Sequence, residues 1–194
     1  FLAAHGWGRA LRAPLSGDAS FRSYARLIDG RRRAIVMDAP PPHEDVRPFI
    51  TVAQILAGYG YSAPQVLDAD AEAGLAVLED LGDDLYTRVL AAGGDEVALY
   101  SVTVDLLADL HRRPPPPSLP RYDMRLLVEE ANLFTRWYLP ALHGVPTPVP
   151  AMAEFDAHWY AALTPVCARR TVVVLRDYHA DNLMWLPHRR GLRR

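Results

Sequence analysis

Five polar residues near the carboxyl end of the chain have residue types and a close spacing that are typical of a catalytic or binding site. They are Arg176, Asp177, His179, Asp181 and Asn182, and they fall within seven consecutive residues. An apolar, β-branched run precedes them at residues 171–174, and a second apolar run follows at 183–185. The pattern predicts a buried strand, a polar loop and a second apolar segment. A polar cluster between two apolar segments is costly unless it binds something.

The spacing between Asp177 and Asn182 is typical of a phosphoryl-transfer loop. In such loops the aspartate accepts the proton of the attacking hydroxyl, and an asparagine five positions later holds a magnesium ion. A carboxylate is ionised at neutral pH and can take a proton, whereas an amide oxygen is a neutral, hard ligand for Mg²⁺. The alternative is a structural loop, because Asp and Asn are both common loop formers.

Composition excludes several other classes of function. The 194 residues are 50% hydrophobic, which is enough for a substantial core in one domain or two lobes. Net charge is −2 and every one of the 21 basic residues is arginine, so charge gives no support to nucleic-acid binding. The single Cys167 excludes an intramolecular disulfide and is expected to be a buried structural thiol in a reducing compartment. No apolar run reaches the length of a membrane span, so we expect a soluble, cytoplasmic protein.

The amino-terminal half predicts a small antiparallel sheet with one helix. A short helix is expected within the first fifteen residues, with Leu2, Trp7 and Leu11 as its apolar positions. Alternating patterns predict strands at 23–28 and 34–37, joined by a turn at 29–30. A helix opens at residues 45–48, and two further strands lie on either side of an acidic turn at 68–74.

The carboxyl-terminal half is expected to be mainly helical. The pattern changes from strand to helix at residues 79–84, which sets a predicted lobe boundary after Gly82. Helices are predicted at 95–111, 123–139 and 151–163, with proline-rich connectors between them. The predicted buried face of the first helix consists of Val97, Tyr100, Val104, Leu107 and His111. The aromatic end of the second helix is interpreted as a packed core stripe, with stacking on a sugar or base as the alternative.

The whole chain resembles the aminoglycoside phosphotransferase and choline kinase branch of the protein-kinase-like fold. Four segments carry the resemblance, at residues 15–21, 36–41, 78–82 and 175–184. The most similar subfamily is that of the bacterial anomeric sugar kinases that phosphorylate N-acetylmuramate and N-acetylglucosamine. The resemblance implies an α+β, two-lobe fold with an N-lobe at residues 1–82 and a helical C-lobe at 83–194.

The resemblance also implies a set of site residues, with ATP and Mg²⁺ as cofactors. Asp177 would be the catalytic base and Asn182 a magnesium ligand, while His179 and Arg176 would contact substrate or orient the loop. The nucleotide-binding residues would be Ser16, Gly17, Asp18, Ala19, Ser20, Glu79, Asp80 and Leu81. The first five would cover the phosphates, although the residues of this turn taken alone favour a plain hairpin turn. The backbone of the last three would bind adenine.

Some expected family residues are absent from this sequence. Met37 stands where most kinase-like enzymes have a strand lysine, and the following helix has Gln54 but no glutamate. An arginine such as Arg22 or Arg26 is a candidate replacement for that cation. Leu175 replaces a common histidine, and the second magnesium-binding aspartate is expected beyond Arg194. We therefore expect a fragment, truncated at its carboxyl end, that is inactive by itself.

The expected function is ATP-dependent phosphorylation of a small-molecule hydroxyl, with the C1 hydroxyl of an amino sugar favoured and cell-wall recycling as the process. An aminoglycoside or choline-like substrate is a further alternative. The alternative of another class is a non-catalytic module that binds nucleotide or sugar, such as a pseudokinase. The sequence predicts neither a nucleic-acid partner nor a membrane, and it leaves the oligomeric state open.

Overall fold

The computed structural model describes residues 1–15, 21–169 and 171–193. The chain divides into two compact units. The first contains residues 1–104 and 178–194, and the second contains residues 105–177. The boundary predicted after Gly82 lies inside the first unit, and the division into a nucleotide-covering lobe and a helical lobe stays a prediction.

The first unit is built on a five-stranded antiparallel sheet. Its strands are β1 (Leu11–Pro14), β2 (Ser23–Asp29), β3 (Arg32–Asp38), β4 (Val66–Asp70) and β5 (Leu75–Leu78). They lie in the order β1-β2-β3-β5-β4. The turn between β2 and β3 contains Gly30 at φ 61°, a left-handed conformation that glycine adopts without strain. The predicted α+β architecture, with a small antiparallel sheet and helices, is confirmed.

Alternation along the strands divides the sheet into two buried faces. On one face, Ala34 and Val77 pack with Leu27 and with Leu2 and Trp7 of the amino-terminal segment. On the other, a cluster of Met37, Ala39, Val46, Ala76 and Leu78 contacts partly buried residues of the first helix, α1 (Arg47–Gly58). Successive strand residues point to opposite faces, and both faces of this sheet are therefore covered.

The predicted amino-terminal helix is wrong. Residues 1–10 form turns, and Leu11 begins the edge strand β1. Gly6 has a φ of 78°, and the Trp7 N–H donates to the Leu2 carbonyl oxygen at 2.8 Å. This turn buries both Leu2 and Trp7 against the sheet, whereas Leu11 is exposed. Hydrophobic spacing alone did not distinguish the turn from a helix because three apolar residues are too few to fix a period.

Two helices follow the sheet, α2 (Tyr86–Ala91) and α3 (Glu96–Arg112). The extent of α3 agrees with the prediction, but the predicted buried face is wrong. Val97 and Val104 are exposed, whereas Leu99, Thr103 and Leu110 are buried. Burial of the polar Thr103 side chain costs little, because its hydroxyl donates to the Tyr100 carbonyl oxygen at 2.8 Å.

The second unit contains the end of α3 and three further helices. They are α4 (Met124–Ala131), α5 (Leu139–His143) and α6 (Val149–Cys167), with a π-helical turn at Phe134–Tyr138. The single long helix predicted at 123–139 is thus divided. Asp123 caps α4 by accepting from the Leu126 N–H at 3.1 Å. Buried Asn132 donates to Asp156 of α6 and accepts from the Thr135 hydroxyl.

Three further predictions in this unit are wrong. The aromatic residues of the π-helical turn are not a core stripe, since Trp137 is 72% exposed. Phe134 and Tyr138 stack on each other, and both are exposed as well. Cys167 ends α6 and is exposed rather than buried. Residues 171–175 have no regular secondary structure and belong to no strand of the described sheet, although Val173 is buried. Within the described residues, no helix has the length and apolarity to cross a membrane.

Candidate functional site

The polar loop at residues 176–182 is continuous in sequence but contributes to both compact units. Arg176 and Asp177 end the second unit, and the residues from Tyr178 onward belong to the first.

In the second unit, Arg176 is fixed by two residues. Its Nη2 donates to Glu130 Oε1 at 2.5 Å, and its guanidinium lies 5.5 Å from the centre of the Tyr122 ring. The Tyr122 hydroxyl donates to the other oxygen of Glu130 at 2.5 Å. This hydrogen bond, followed by burial, raises the pKa of Tyr122, and the charge of Asp177 adds to the effect. Asp177 therefore lies within electrostatic reach of a bonded Tyr122–Glu130–Arg176 cluster.

In the first unit, His179 and Asn182 contact each other around a 3₁₀ turn at Ala180–Asn182. The Asn182 N–H donates to the His179 carbonyl oxygen at 2.9 Å, and Asn182 Nδ2 lies 3.2 Å from His179 Nε2. His179 Nδ1 is 3.8 Å from an oxygen of Asp181. These contacts fit the loop-orienting interpretation of His179, and a contact with substrate stays a prediction.

Tyr178 anchors the loop to helix α3. Its hydroxyl donates to the Thr103 carbonyl oxygen at 3.1 Å. Burial, with the neighbouring Tyr86 adding, raises the pKa of Tyr178 to about 12. Tyr178, which directly follows Asp177, is thus held in place by its own phenol group, which is neutral and partly buried. This role could not be predicted from the sequence, because a single tyrosine in a polar loop has no distinctive spacing.

The apolar run after the loop pairs with the segment that precedes α2. Tyr86 N–H donates to the Leu183 carbonyl oxygen at 2.9 Å, and Trp185 N–H donates to the Asp84 carbonyl oxygen at 2.7 Å. Met184 and Leu85 form the antiparallel bridge between these bonds. The loop therefore ends in a short ladder inside the first unit.

The predicted adenine-binding stretch, residues 79–81, follows β5 and is held from two sides. The Glu79 N–H donates to the Gln65 carbonyl oxygen at 2.8 Å, and the Glu79 carboxylate accepts from Arg189 at 2.5 Å. Asp80 Oδ1 accepts from the Gly82 N–H at 3.0 Å. Because the Glu79 N–H already has a partner, adenine recognition would fall to other backbone groups of the stretch.

Arg26 of β2 forms hydrogen bonds with the predicted adenine-binding stretch and with the residues that follow it. Its Nη2 donates to Asp80 Oδ1 at 3.1 Å and to the Gly82 carbonyl oxygen at 3.0 Å, and its Nη1 donates to Asp83 Oδ2 at 3.1 Å. Nε is buried 2.8 Å from Asp80 Oδ2, although its N–H is not aligned for a hydrogen bond. The bonds to Asp80 come first among the causes that raise the pKa of Arg26. From the sequence, this arginine was a candidate only for a phosphate ligand, and its contacts with residues 80–83 were not predicted.

The strand position at which most kinase-like enzymes have a lysine is shielded from solvent in this protein. The Met37 side chain is fully buried between the sheet and α1. Of the two candidate replacements, Arg26 is held by Asp80 and Asp83, and Arg22 forms an ion pair with Glu44 at 3.0 Å. The phosphate-covering residues Ser16, Gly17, Asp18, Ala19 and Ser20 lie outside the described residues, and their assignment stays a prediction.

A cavity of about 600 Å³ lies beside the predicted adenine-binding stretch in the first unit. Glu79 and Arg189, which form an ion pair, line it together with Arg190. The rest of the lining comes from the last turn of α1, at residue 57, and from the segment that follows it, at residues 60–63 and 65. Within the described part of the chain, no group of three or more His, Cys, Asp or Glu could hold a metal ion.

Comparison with known proteins agrees with these features. The sequence pattern of the phosphotransferase enzyme family matches residues 12–192, which include both the sheet and the polar loop. The chain belongs to the phosphotransferase enzyme family. The matched range contains strands β2 to β5, the helices and the segment with Asp177 and Asn182.

Three relatives carry the name N-acetylmuramate/N-acetylglucosamine kinase. The protein of Caulobacter vibrioides is 39% identical over 230 residues, covering 100% of this chain and 63% of the relative. That of Pseudomonas aeruginosa is 39% identical over 184 residues, covering 93% of this chain and 54% of the relative. That of Pseudomonas putida is 33% identical over 181 residues, covering 92% of this chain and 53% of the relative. The chain thus spans between about half and two thirds of the length of these phosphotransferases.

Proposed function

We propose that the protein is an ATP-dependent kinase that phosphorylates the C1 hydroxyl of N-acetylmuramate or N-acetylglucosamine. The observation that carries the proposal is the family match, which runs through the loop containing Asp177 and Asn182. The names of the relatives, at 33% to 39% identity, supply the sugar. The small-molecule hydroxyl is the acceptor, and the process is the recycling of cell-wall sugars in the cytoplasm.

Asp177 is the proposed catalytic base. The sugar hydroxyl oxygen forms a bond to the γ-phosphorus of ATP, while the bond from that phosphorus to the β–γ bridging oxygen breaks and ADP leaves. Asp177 accepts the hydroxyl proton during this step. The Tyr122–Glu130–Arg176 cluster beside it supports a fixed carboxylate, which a base must have to meet a hydroxyl at hydrogen-bond distance.

The residues around Asn182 fit a magnesium ion in their chemistry. The amide oxygen is the atom that suits Mg²⁺, and the contact from Asn182 Nδ2 to His179 uses the nitrogen rather than the oxygen. Mg²⁺ would neutralise part of the phosphate charge. The backbone of Asp80 and Leu81 and the carbonyl of Glu79 would hold the adenine, and the backbone of residues 16–20 would cover the phosphates.

One observation favours a second function, a module that binds nucleotide or sugar without phosphate transfer. The strand position that carries a lysine in most kinase-like enzymes is the buried Met37, and Arg26 is engaged by Asp80 and Asp83. Charge compensation at the phosphates would then depend on the metal and on backbone N–H groups. The two functions predict different outcomes when turnover and binding are measured separately.

The test is ATP consumption by the complete protein with each of the two sugars, beside an Asp177→Asn variant. We expect sugar-dependent turnover that falls by about a thousandfold or more in the variant, because loss of the base removes its acceleration. Asp181→Asn, which removes a carboxylate from the same loop, is the matched control and should keep most of the turnover. Turnover that survives Asp177→Asn would overturn the base assignment. Nucleotide binding without turnover on either sugar would favour the binding module.

A further inference from the structure

The residue directly before Asp177 has an unusual backbone conformation. Arg176 has a φ of 57°, and among the described residues it is the one non-glycine with a positive φ. A side chain with a Cβ disfavours this left-handed region, because the Cβ approaches the following carbonyl oxygen. Such conformations persist only where surrounding contacts hold them, and they are frequent at functional sites.

Glu130 supplies the contact that holds Arg176. One of its oxygens accepts from Arg176 Nη2, and the other accepts from the Tyr122 hydroxyl. Tyr122 also places its ring 5.5 Å from the guanidinium, within the range of a cation–π contact. Glu130 itself is fixed because it lies near the end of α4, whose first turn is capped by Asp123. The charge-assisted hydrogen bond and the ring contact both favour this position of the Arg176 side chain and so oppose the cost of its left-handed backbone.

Glu130 has a close neighbour that makes a different contact. Glu129 accepts from Arg125 Nη1 at 2.8 Å, one turn earlier on α4. This pair is exposed and lies within one helix, so it contributes little to stability. The two adjacent carboxylates thus have the same charge but different partners.

From these contacts we infer that Glu130 is a positioning residue for Asp177. With Tyr122 it holds the Arg176 side chain, and the left-handed backbone of Arg176 then sets the direction in which the Asp177 carboxylate points. The inference rests on the proposed function of Asp177 as base. It adds that Glu130, on a distant helix of the same unit, controls the rate of the chemical step without touching substrate.

A double-substitution experiment tests this role, because glycine adopts a positive φ without help. In the complete protein, Glu130→Gln should lower kcat by about tenfold to a hundredfold, the loss expected from a misplaced catalytic group, while KM for ATP changes little. In an Arg176→Gly background, the added Glu130→Gln substitution should lower kcat less than about twofold. Glu129→Gln is the matched control and should leave kcat unchanged in both backgrounds. An equal loss of kcat from Glu130→Gln in both backgrounds would overturn the inference.

A structural measurement separates failure of this inference from failure of the proposed function. The Cα and Cβ chemical shifts and the backbone coupling constant of residue 176 report its φ by NMR whether or not the protein turns over. We expect them to leave the left-handed range in Glu130→Gln and to stay there in Glu129→Gln. Unchanged values in Glu130→Gln would overturn the positioning role, even if the proposed kinase activity is present. If the protein has no turnover, the proposed function fails and this measurement still decides the inference.

Discussion

Arg26 of β2 donates from Nη2 to Asp80 Oδ1 at 3.1 Å, and this bond joins β2 to the stretch after β5. Both side chains are largely buried, at 13% and 6% exposure. The same guanidinium reaches the Gly82 carbonyl oxygen and Asp83. The segment proposed to bind adenine is therefore fixed by a charged residue of a strand distant in sequence.

Arg26→Gln should destabilise the protein by about 2–3 kcal/mol, because it leaves the buried Asp80 carboxylate without its cation. Urea denaturation measures the loss. Arg33→Gln, at an exposed position of β3, is the control and should change the free energy of unfolding by less than about 0.5 kcal/mol. Equal effects of the two substitutions would contradict a specific role for Arg26.

Met37→Lys should destabilise the protein by several kcal/mol, and it should not create the phosphate-binding cation of related enzymes. The side chain is fully buried between Ala39, Ala76 and Leu78, where an ammonium group loses its hydration. Met37→Leu conserves volume and should cost less than about 1.5 kcal/mol. Thermal denaturation compares the two variants. A stable Met37→Lys protein with tighter ATP binding would show that this position opens towards the nucleotide.

Gly74→Ala should destabilise the turn between β4 and β5 by about 3 kcal/mol or more, since both strain and a clash oppose it. Gly74 has a φ of 70°, and an added Cβ would lie 2.1 Å from the Ala39 carbonyl oxygen. The Gly74 carbonyl oxygen also accepts from the Ala39 N–H at 2.8 Å. Gly30→Ala separates the two causes, because its φ is 61° with nothing within 4 Å of the added Cβ. That control should cost only about 1 kcal/mol by chemical denaturation, and an equal loss in both variants would exclude the clash.

The free energy of unfolding should fall as pH rises from about 10 to about 12. The pKa of Tyr178 is raised to about 12 in the folded protein by burial, whereas an unfolded tyrosine ionises near pH 10. The unfolded state thus loses its proton first, so this contribution is complete below pH 10 and is lost as pH approaches 12. Denaturation at a series of alkaline pH values measures the loss. Tyr178→Phe should make it smaller, whereas Tyr160→Phe, on α6, should leave it in place.

Local patterns predicted four of the five strands in the described sheet and missed the edge strand β1. The Asp29–Gly30 turn, the alternation in β2 and β3, and the acidic turn before β5 each have a short-range cause, and the structure contains all of them. The start of α1 was also predicted, because Pro48 suits the first turn of a helix. The family resemblance read from four short segments is confirmed by the match over residues 12–192.

Predictions about which face is buried were less successful. In α3 the buried residues are Leu99, Thr103 and Leu110, while the predicted Val97 and Val104 are exposed. Both sets have helical spacing, so periodicity could not choose between them. The predictions that Trp137 and Cys167 are buried were wrong for a related reason. Hydrophobicity indicates a preference for burial, but it does not indicate which residues a side chain will contact in its own unit.

The sequence by itself determined the type of fold and the family, and it predicts the pair Asp177 and Asn182, since these depend on residue types at short, fixed spacing. Only the tertiary structure decided what surrounds them. It brought Glu130 and Tyr122 to Arg176, Thr103 to Tyr178, and Arg26 to Asp80. These partners lie far apart along the chain, and such pairs form only when packed helices and strands bring them within hydrogen-bond distance.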